Sequence, residues 1–213
     1  MPTSKFANLR LTQHPLIQHK VNHLREERTD NRTFRELTRE LTGLLIYEAT
    51  TDLALAPWEI ITPMEHMIGA RIAPRVAFVP ILRAGVGMVE AAIDAVPGAI
   101  VYHLGMYRDE ATHKPVHYYN KLPATVNVDL VYVLDPMLAT GGSASDAITA
   151  LKEWGAPEIR FICIISAPEG VSRLLEDHPD VPVFTAALDR ELNENAFILP
   201  GLGDAGDRLF GTQ

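Results

Sequence analysis

Val131-Tyr132-Val133-Leu134-Asp135-Pro136-Met137-Leu138-Ala139-Thr140-Gly141-Gly142-Ser143 reads as a buried strand, an acidic residue, a loop, and a Thr-Gly-Gly-Ser entry into a helix. The helix spacing continues from Ser143 to Trp154, with Ala144, Ala147, Ile148, Leu151 and Trp154 on one face and Gly155 as its stop signal. A helix start leaves backbone N–H groups unpaired and presents the positive end of the helix dipole, so it attracts a phosphate. Gly141 and Gly142 let the main chain approach such an anion, and Thr140 and Ser143 add hydroxyl donors. Asp135, at the carboxyl end of the strand, is placed to accept hydrogen bonds from sugar hydroxyls close to that phosphate. Together these residues describe a sugar-phosphate site. The plainer reading is a glycine turn capped by Ser143, and Asp135 at a strand end favours the site.

Outward from this stretch, apolar runs alternate with helical spacing. Strands are expected over Val76–Leu82, Ala99–Leu104, Val128–Leu134, Glu158–Ser166 and Val181–Leu188, with helices over Gly85–Val96 and Pro168–Asp177. That alternation argues for an α/β fold, a mostly parallel twisted sheet covered by helices on both faces, with ligands at the carboxyl ends of the strands. Earlier in the chain, His14–Glu27 and Phe34–Ala49 have helical spacing, with Asp30 and Thr33 as rival N-caps for the second. Residues 54–74, with prolines at 57, 63 and 74, are expected to be irregular. The polar, aromatic stretch Gly105–Pro123 interrupts the alternation and reads as a lid or binding loop. One domain is expected over 1–213: a helical part to residue 74, an α/β core over 75–190 with the lid at about 105–123, and a terminal segment over 191–213.

The net charge of −8 makes a general nucleic-acid binder a poor expectation. A single cysteine excludes an internal disulfide framework, and Cys163, inside an apolar run with no cationic neighbour, reads as a buried strand thiol. Residues 1–10 lack the apolar core of a signal peptide, and no apolar run approaches the roughly 18 residues of a membrane span. A cytoplasmic protein without membrane or nucleic-acid partners is expected.

Three motifs mislead. No Gly-Lys-Ser/Thr occurs, so the loop is not a nucleotide-binding P-loop. Gly141-Gly142-Ser143-Ala144-Ser145 misses the last glycine of a nucleophile elbow, and Ser143 lies too far past its strand. Gly201-Leu202-Gly203-Asp204-Ala205-Gly206 fits a dinucleotide fingerprint, but only Asp207–Gln213 follows it, too little for the helix and strand such a unit needs. His19 and His23 have zinc-ligand spacing without an evident third ligand, so a solvated helix face is expected.

Asp135–Ser143 resembles the phosphoribosyl diphosphate (PRPP) loop of type I phosphoribosyltransferases, in the form typical of the uracil phosphoribosyltransferase family. Pro80-Ile81-Leu82-Arg83-Ala84-Gly85, Gly105-Met106-Tyr107-Arg108, Ala167-Pro168-Glu169-Gly170 and Pro200–Asp207 resemble further segments of that family, in the expected order and from about His14 onward. The last is the most specific. The resemblance implies transfer of phosphoribose from PRPP to uracil, giving UMP and diphosphate. It assigns Asp135, Pro136, Met137, Leu138, Ala139, Thr140, Gly141, Gly142 and Ser143 to PRPP, together with Arg83, Arg108 and Asp204. It assigns Ile198, Gly203, Asp204 and Ala205 to uracil, and a catalytic part to Arg83, Arg108, Asp135 and Asp204. Pro136 replaces the second acidic residue of many type I enzymes, so Mg2+ is expected to arrive on the diphosphate and not on side chains of this loop. Some members respond to GTP, although no independent GTP motif occurs here. A homo-oligomer, dimer or higher, is expected. Asp189, Arg190, Glu191 and Asn193 precede the uracil segment and are expected to shape its loop. A related fold acting as an RNA-binding regulator and a transferase for another nucleobase remain the alternatives.

Overall fold

Three runs buried at every position build the centre of the molecule. The structure is a computed structural model describing residues 6–108, 115–120 and 122–212, without the side chains of 106–108 and 115–120. In chain order, β1 (Leu9–Leu11) leads to α1 (Pro15–Arg25) and α2 (Asn31–Ala49), then to β2 (Leu55–Ile61) and β3 (His66–Ile72). Next come β4 (Val76–Pro80), a 3-10 turn over Ala84–Met88, α3 (Val89–Ala95), β5 (Ile100–Val101), β6 (Leu104–Arg108) and β7 (Pro115–Asn120). β8 (Leu130–Leu134), β9 (Met137–Leu138), α4 (Gly142–Trp154), β10 (Ile159–Ser166), α5 (Pro168–Asp177) and β11 (Val183–Leu188) follow. β12 (Glu191–Leu192), β13 (Ile198–Leu199) and α6 (Ala205–Phe210) close the chain.

The main sheet runs β1-β11-β10-β8-β4-β5, with β9 also on β10, and every pairing is parallel. β4, β8 and β10 are buried at every residue, as expected of strands covered on both faces. Their side chains alternate between two cores with a period of two. Phe78, Tyr132, Leu134, Ile162 and Ile164 face a layer made by α1, α2, the 3-10 turn, α3 and α6, including Leu41, Leu45, Met88 and Leu209. Ala77, Val79, Val131, Val133, Phe161 and Cys163 face α4 and α5 through Ala144, Ile148, Leu151, Val171 and Leu174. Burying each large apolar side chain contributes about 1.5–3 kcal/mol.

The helices that follow β4 and β8 lie on opposite faces of the sheet, because α3 joins the first core and α4 the second. Neighbouring strands whose connections depart to opposite faces leave a crevice at their carboxyl ends.

Residues 54–74 depart from the sequence expectation. They form an antiparallel hairpin in which Leu55–Ile61 pairs with His66–Ile72. Pro57 is tolerated because a two-stranded ribbon has an outer edge needing no N–H. Pro63 follows Thr62 in the connecting turn, and Thr62 Oγ1 accepts from the N–H groups of Met64 and Glu65. The part before residue 74 is therefore helical only over α1 and α2. β1, too short to carry a periodic signal, pairs with β11 at the sheet edge. The helix expected over Gly85–Val96 begins as a tighter 3-10 turn, and the strand expected over Ala99–Leu104 reduces to β5 and one bridge between Leu104 and Ile81. β6 and β7 pair as a hairpin where a lid was expected. Residues 109–114 and 121 lie outside the described residues.

Candidate active site

The loop after β8 is held to its neighbour for most of its length. Asp135 N–H donates to the Ile162 carbonyl, and the Pro136 carbonyl accepts from Ile164 and Ile165. Ala167 N–H reaches the Leu138 carbonyl at 2.9 Å. Pro136 and Leu138 are buried scaffold, and Met137 and Ala139 are half-buried. The backbone then turns at Gly141, φ +78°, into the first turn of α4. A Cβ at Gly141 would lie 2.7 Å from the Gly170 carbonyl oxygen, and one at Gly170 would collide with the Ala139 carbonyl oxygen. The loop and the start of α5 are thus in backbone contact, and both glycines are required for it. Thr140 and Ser143 are exposed, so their hydroxyls are open to a ligand at this helix start.

Asp135 sits between strand and loop, half-buried, with Oδ1 accepting from Met137 N–H at 3.3 Å. Its surface is not closed, yet the depth of surrounding protein pushes the carboxyl up to about 7 against the lowering effect of that hydrogen bond. Cys163, behind it in the sheet, is buried and its thiol is pushed up to about 12 by that burial, which fits a packing role.

The turn after β4 folds over the same strand end. Ile81 N–H donates to the Leu134 carbonyl at 2.9 Å, and a Cβ at Gly85 would collide with that oxygen. Arg83 leaves this turn toward the start of α6. Its Nη2 meets Asp207 Oδ1 at 3.0 Å and its Nη1 donates to Thr212 Oγ1 at 3.1 Å. The Thr212 hydroxyl and the Arg83 guanidinium hold the Asp207 carboxyl below its usual range. Asp204 caps α6, accepting from Asp207 N–H at 2.9 Å, and Gly206 fits between Asp204 and Arg83. Arg83 and Asp204, 121 positions apart by their residue numbers, come together here.

The terminal segment is an antiparallel pair, β12 with β13, in which Leu192 faces Ile198. Ile198 and Ala205 are buried in the first core, whereas Gly203 and Asp204 are exposed. Any ligand contact by Ile198 or Ala205 must therefore use the backbone. Gly203 at φ +83° is a position side chains rarely adopt. Arg108 ends β6, and its side chain lies outside the described residues.

Concavity alone points elsewhere. A groove of about 440 Å³ lined by Asp52, Pro74, Leu130 and Arg160 lies at the amino ends of β4, β8 and β10. It lacks a glycine-lined helix start, and ligands of parallel sheets bind at the opposite ends.

A model of the uracil phosphoribosyltransferase family matches residues 11–212. The chain belongs to the uracil phosphoribosyltransferase family. It is 59% identical over 206 residues to the uracil phosphoribosyltransferase of Roseiflexus sp. strain RS-1, spanning 97% of this chain and 99% of that one. It is 52% identical to the uracil phosphoribosyltransferase of Salinibacter ruber, spanning 97% and 98%. A solved structure from Aquifex aeolicus superposes with a TM-score of 0.88 at 38% identity, covering 95% of this chain and 97% of that one. A hypoxanthine-guanine phosphoribosyltransferase from Bacillus anthracis shares the fold, with a TM-score of 0.51 at 10% identity over 75% and 80% of the two chains.

Within this uracil phosphoribosyltransferase fold, the turn bearing Arg83 links two of the sequence-expected segments, packing on the strand end before the loop Asp135–Ser143 and reaching the segment that ends in Asp204 and Ala205. Asp207, Thr212 and Glu169 were not singled out from sequence for a role. Glu169 Oε1 accepts from Leu192 N–H at 3.0 Å, so the start of α5 touches the terminal hairpin through Glu169 and the phosphate-type loop through Gly170. The signal available was Ala167-Pro168-Glu169-Gly170, where glycine in a helix's first turn has no propensity reason to occur.

Proposed function

We propose that this protein transfers the 5-phosphoribosyl group of PRPP to uracil, giving UMP and diphosphate. The observation that carries the reading is the carboxyl end of β4 and β8, where the loop of Asp135 leads into a Gly-Gly helix start and the turn bearing Arg83, paired with Asp207, packs on the Leu134 carbonyl. The 5′-phosphate is held by Thr140, Ser143 and the backbone at Gly141 and Gly142. Asp135 holds the ribose hydroxyls. Uracil is read at its polar edges by the backbone of Ile198 and of Gly203–Ala205, and Asp204 also lies next to PRPP.

In the reaction, the bond from the ribose anomeric carbon to diphosphate breaks, a bond to a ring nitrogen of uracil forms, and that nitrogen loses its proton. The ribose becomes cationic in the transition state, so stabilising charge matters more than a strong base. Arg83 and Arg108 offset negative charge on the departing diphosphate through the planar guanidinium fork. An ionised Asp135 stabilises the cationic sugar. The hairpin of β6 and β7 closes over the site and excludes water, which would hydrolyse PRPP.

Among the described residues no three His, Cys, Asp or Glu side chains converge on one point. Magnesium does not require such a cluster, because it keeps most of its waters and takes one or two carboxylates plus substrate phosphates. Carried in by the diphosphate, with Asp204 or Asp207 beside it, it would neutralise charge on the leaving group. The enzyme works as a cytoplasmic homo-oligomer; no helix of the described residues is long and apolar enough to cross a membrane. GTP is a candidate effector through the resemblance.

The test mixes protein, uracil, PRPP and magnesium, with and without GTP, and follows UMP and diphosphate. UMP forms with the native chain and collapses in Arg108→Ala and Asp204→Ala. UMP indifferent to both substitutions would overturn the residue assignment. Turnover of a purine in preference to uracil would overturn the substrate, and no turnover with RNA retained in a gel shift would support a regulator.

A further inference from the structure

Two charged side chains outside the proposed ligand contacts, Arg25 and the Asp189 expected to shape the uracil loop, hold the turn that carries the base-reading backbone. Arg25 closes α1, and Asp189 follows β11. Their ion pair is largely withdrawn from water, the carboxylate side chain being 4% exposed and the guanidinium side chain 18%. Arg25 Nη1 donates to Asp189 Oδ2 at 2.7 Å and Nη2 donates to Oδ1, the two-pronged geometry to which arginine is suited.

The pair does more than close on itself. Arg25 Nη1 also donates to the Gly201 carbonyl at 2.8 Å, and Asp189 Oδ2 accepts from Gly201 N–H at 3.0 Å. Both backbone polar groups of one glycine are therefore held by opposite ends of one buried ion pair. Gly201 lies at φ +64°, and a Cβ there would collide with the Ile198 carbonyl oxygen. Ile198 stands on one side of this glycine and Gly203-Asp204-Ala205 on the other, the two groups assigned to uracil.

We infer that Arg25 and Asp189 are a positioning pair for base recognition: by fixing Gly201 they set the spacing between the two backbone stretches that read uracil. The inference rests on the reading given under Proposed function. Docking of the N-terminal helices does not depend on this pair. Arg208 Nη1 donates to the carbonyls of Leu24 and Leu202, and Arg35 donates to that of Leu209. Apolar residues could also have filled the space, since a buried ion pair holds a fold no better than well-packed hydrophobic groups. They could not bond the N–H and the C=O of one residue together. Readout by rigid backbone is sensitive to displacements of about 1 Å.

The test is steady-state kinetics of Asp189→Asn and Arg25→Gln, each substrate varied in turn, with hydrogen exchange of the ligand-free proteins. The uracil KM should rise roughly tenfold or more while the PRPP KM stays within about twofold. Exchange should quicken over residues 198–205 and not over 135–143. Parallel rises in both KM values, or a fall in kcat alone, would overturn the inference in favour of general loosening. If Arg25→Gln fails to fold, Arg25→Lys, which keeps the charge but lacks the fork, is judged by the same split. A native chain that makes no UMP overturns the reaction and this inference with it, whereas native turnover with an unchanged uracil KM in the variants overturns this inference alone.

Discussion

In the proposed reaction the charge of Asp135 is useful, whereas in the empty fold it is unfavourable. Its carboxyl lies at about 7 in the folded protein and near 4 in an unfolded chain. As pH rises from about 4 to about 7 the unfolded state loses this proton first, so stability falls across that window and stays reduced above it. Asp135→Asn keeps an acceptor for Met137 N–H and removes the charge. It should raise the melting temperature of the ligand-free protein at pH 8, by on the order of a few kcal/mol of stability, and change it little at pH 4. UMP formation should fall in the same variant. Equal melting shifts at both pH values would show that Asp135 is not held protonated by burial. Gly170 makes a second residue-scale prediction, because its Cβ would meet the Ala139 and Leu138 carbonyl oxygens. Gly170→Ala should displace the loop and cost about 1–3 kcal/mol by overpacking. A weaker PRPP affinity should accompany a depressed denaturation midpoint.

Among the elements, α2 shows how local chemistry selects a boundary. Both Asp30 and Thr33 could have capped it; Asp30 does so, its Oδ1 accepting from Thr33 N–H at 2.8 Å. Starting at Asp30 gives the helix a first turn whose Phe34 enters the core and receives the Arg208 guanidinium 4.4 Å above its ring. Asp30→Ala should lower the midpoint of chemical denaturation while leaving both KM values unchanged. The hairpin of β2 and β3 was the element least legible beforehand. Its prolines obscured the strand pattern, and its apolar residues do not alternate with a buried face because most of the hairpin is exposed. Cys163, by contrast, was readable as a packing thiol from its apolar neighbours alone.

At the scale of the molecule that same hairpin is the feature a monomer leaves unexplained. Leu55, Trp58, Ile61, Met64, Met67, Ile68 and Ile72 are all exposed on it. A two-stranded hairpin is marginal alone in water, and here both faces carry exposed apolar side chains, Trp58 and Met67 on one and Leu55, Ile61, Ile68 and Ile72 on the other, which marks an interaction surface. The proposed homo-oligomer gives it a partner. Light scattering should find the native chain above monomer mass, and Trp58→Glu combined with Ile68→Glu should shift it toward the monomer. Native material already monomeric at micromolar concentration would refute this assignment.

Local sequence was enough for the centre of the sheet, because β4, β8 and β10 are predominantly apolar and alternate with amphipathic helices. It was enough for the turn into α4 as well, whose glycines and hydroxyls at 140–143 are contiguous. What local sequence could not supply was every relation between distant segments. Arg83 meets Asp207 and Thr212, Gly170 presses on Ala139, and Arg25 reaches Asp189 and Gly201 only because the parallel sheet brings these turns to one end. Periodicity reports which face of an element is buried. It carries no information on which charged residue, more than a hundred positions away, will meet a given backbone group, and that choice is made by the packing of α1, α5 and α6 around the carboxyl ends of the strands.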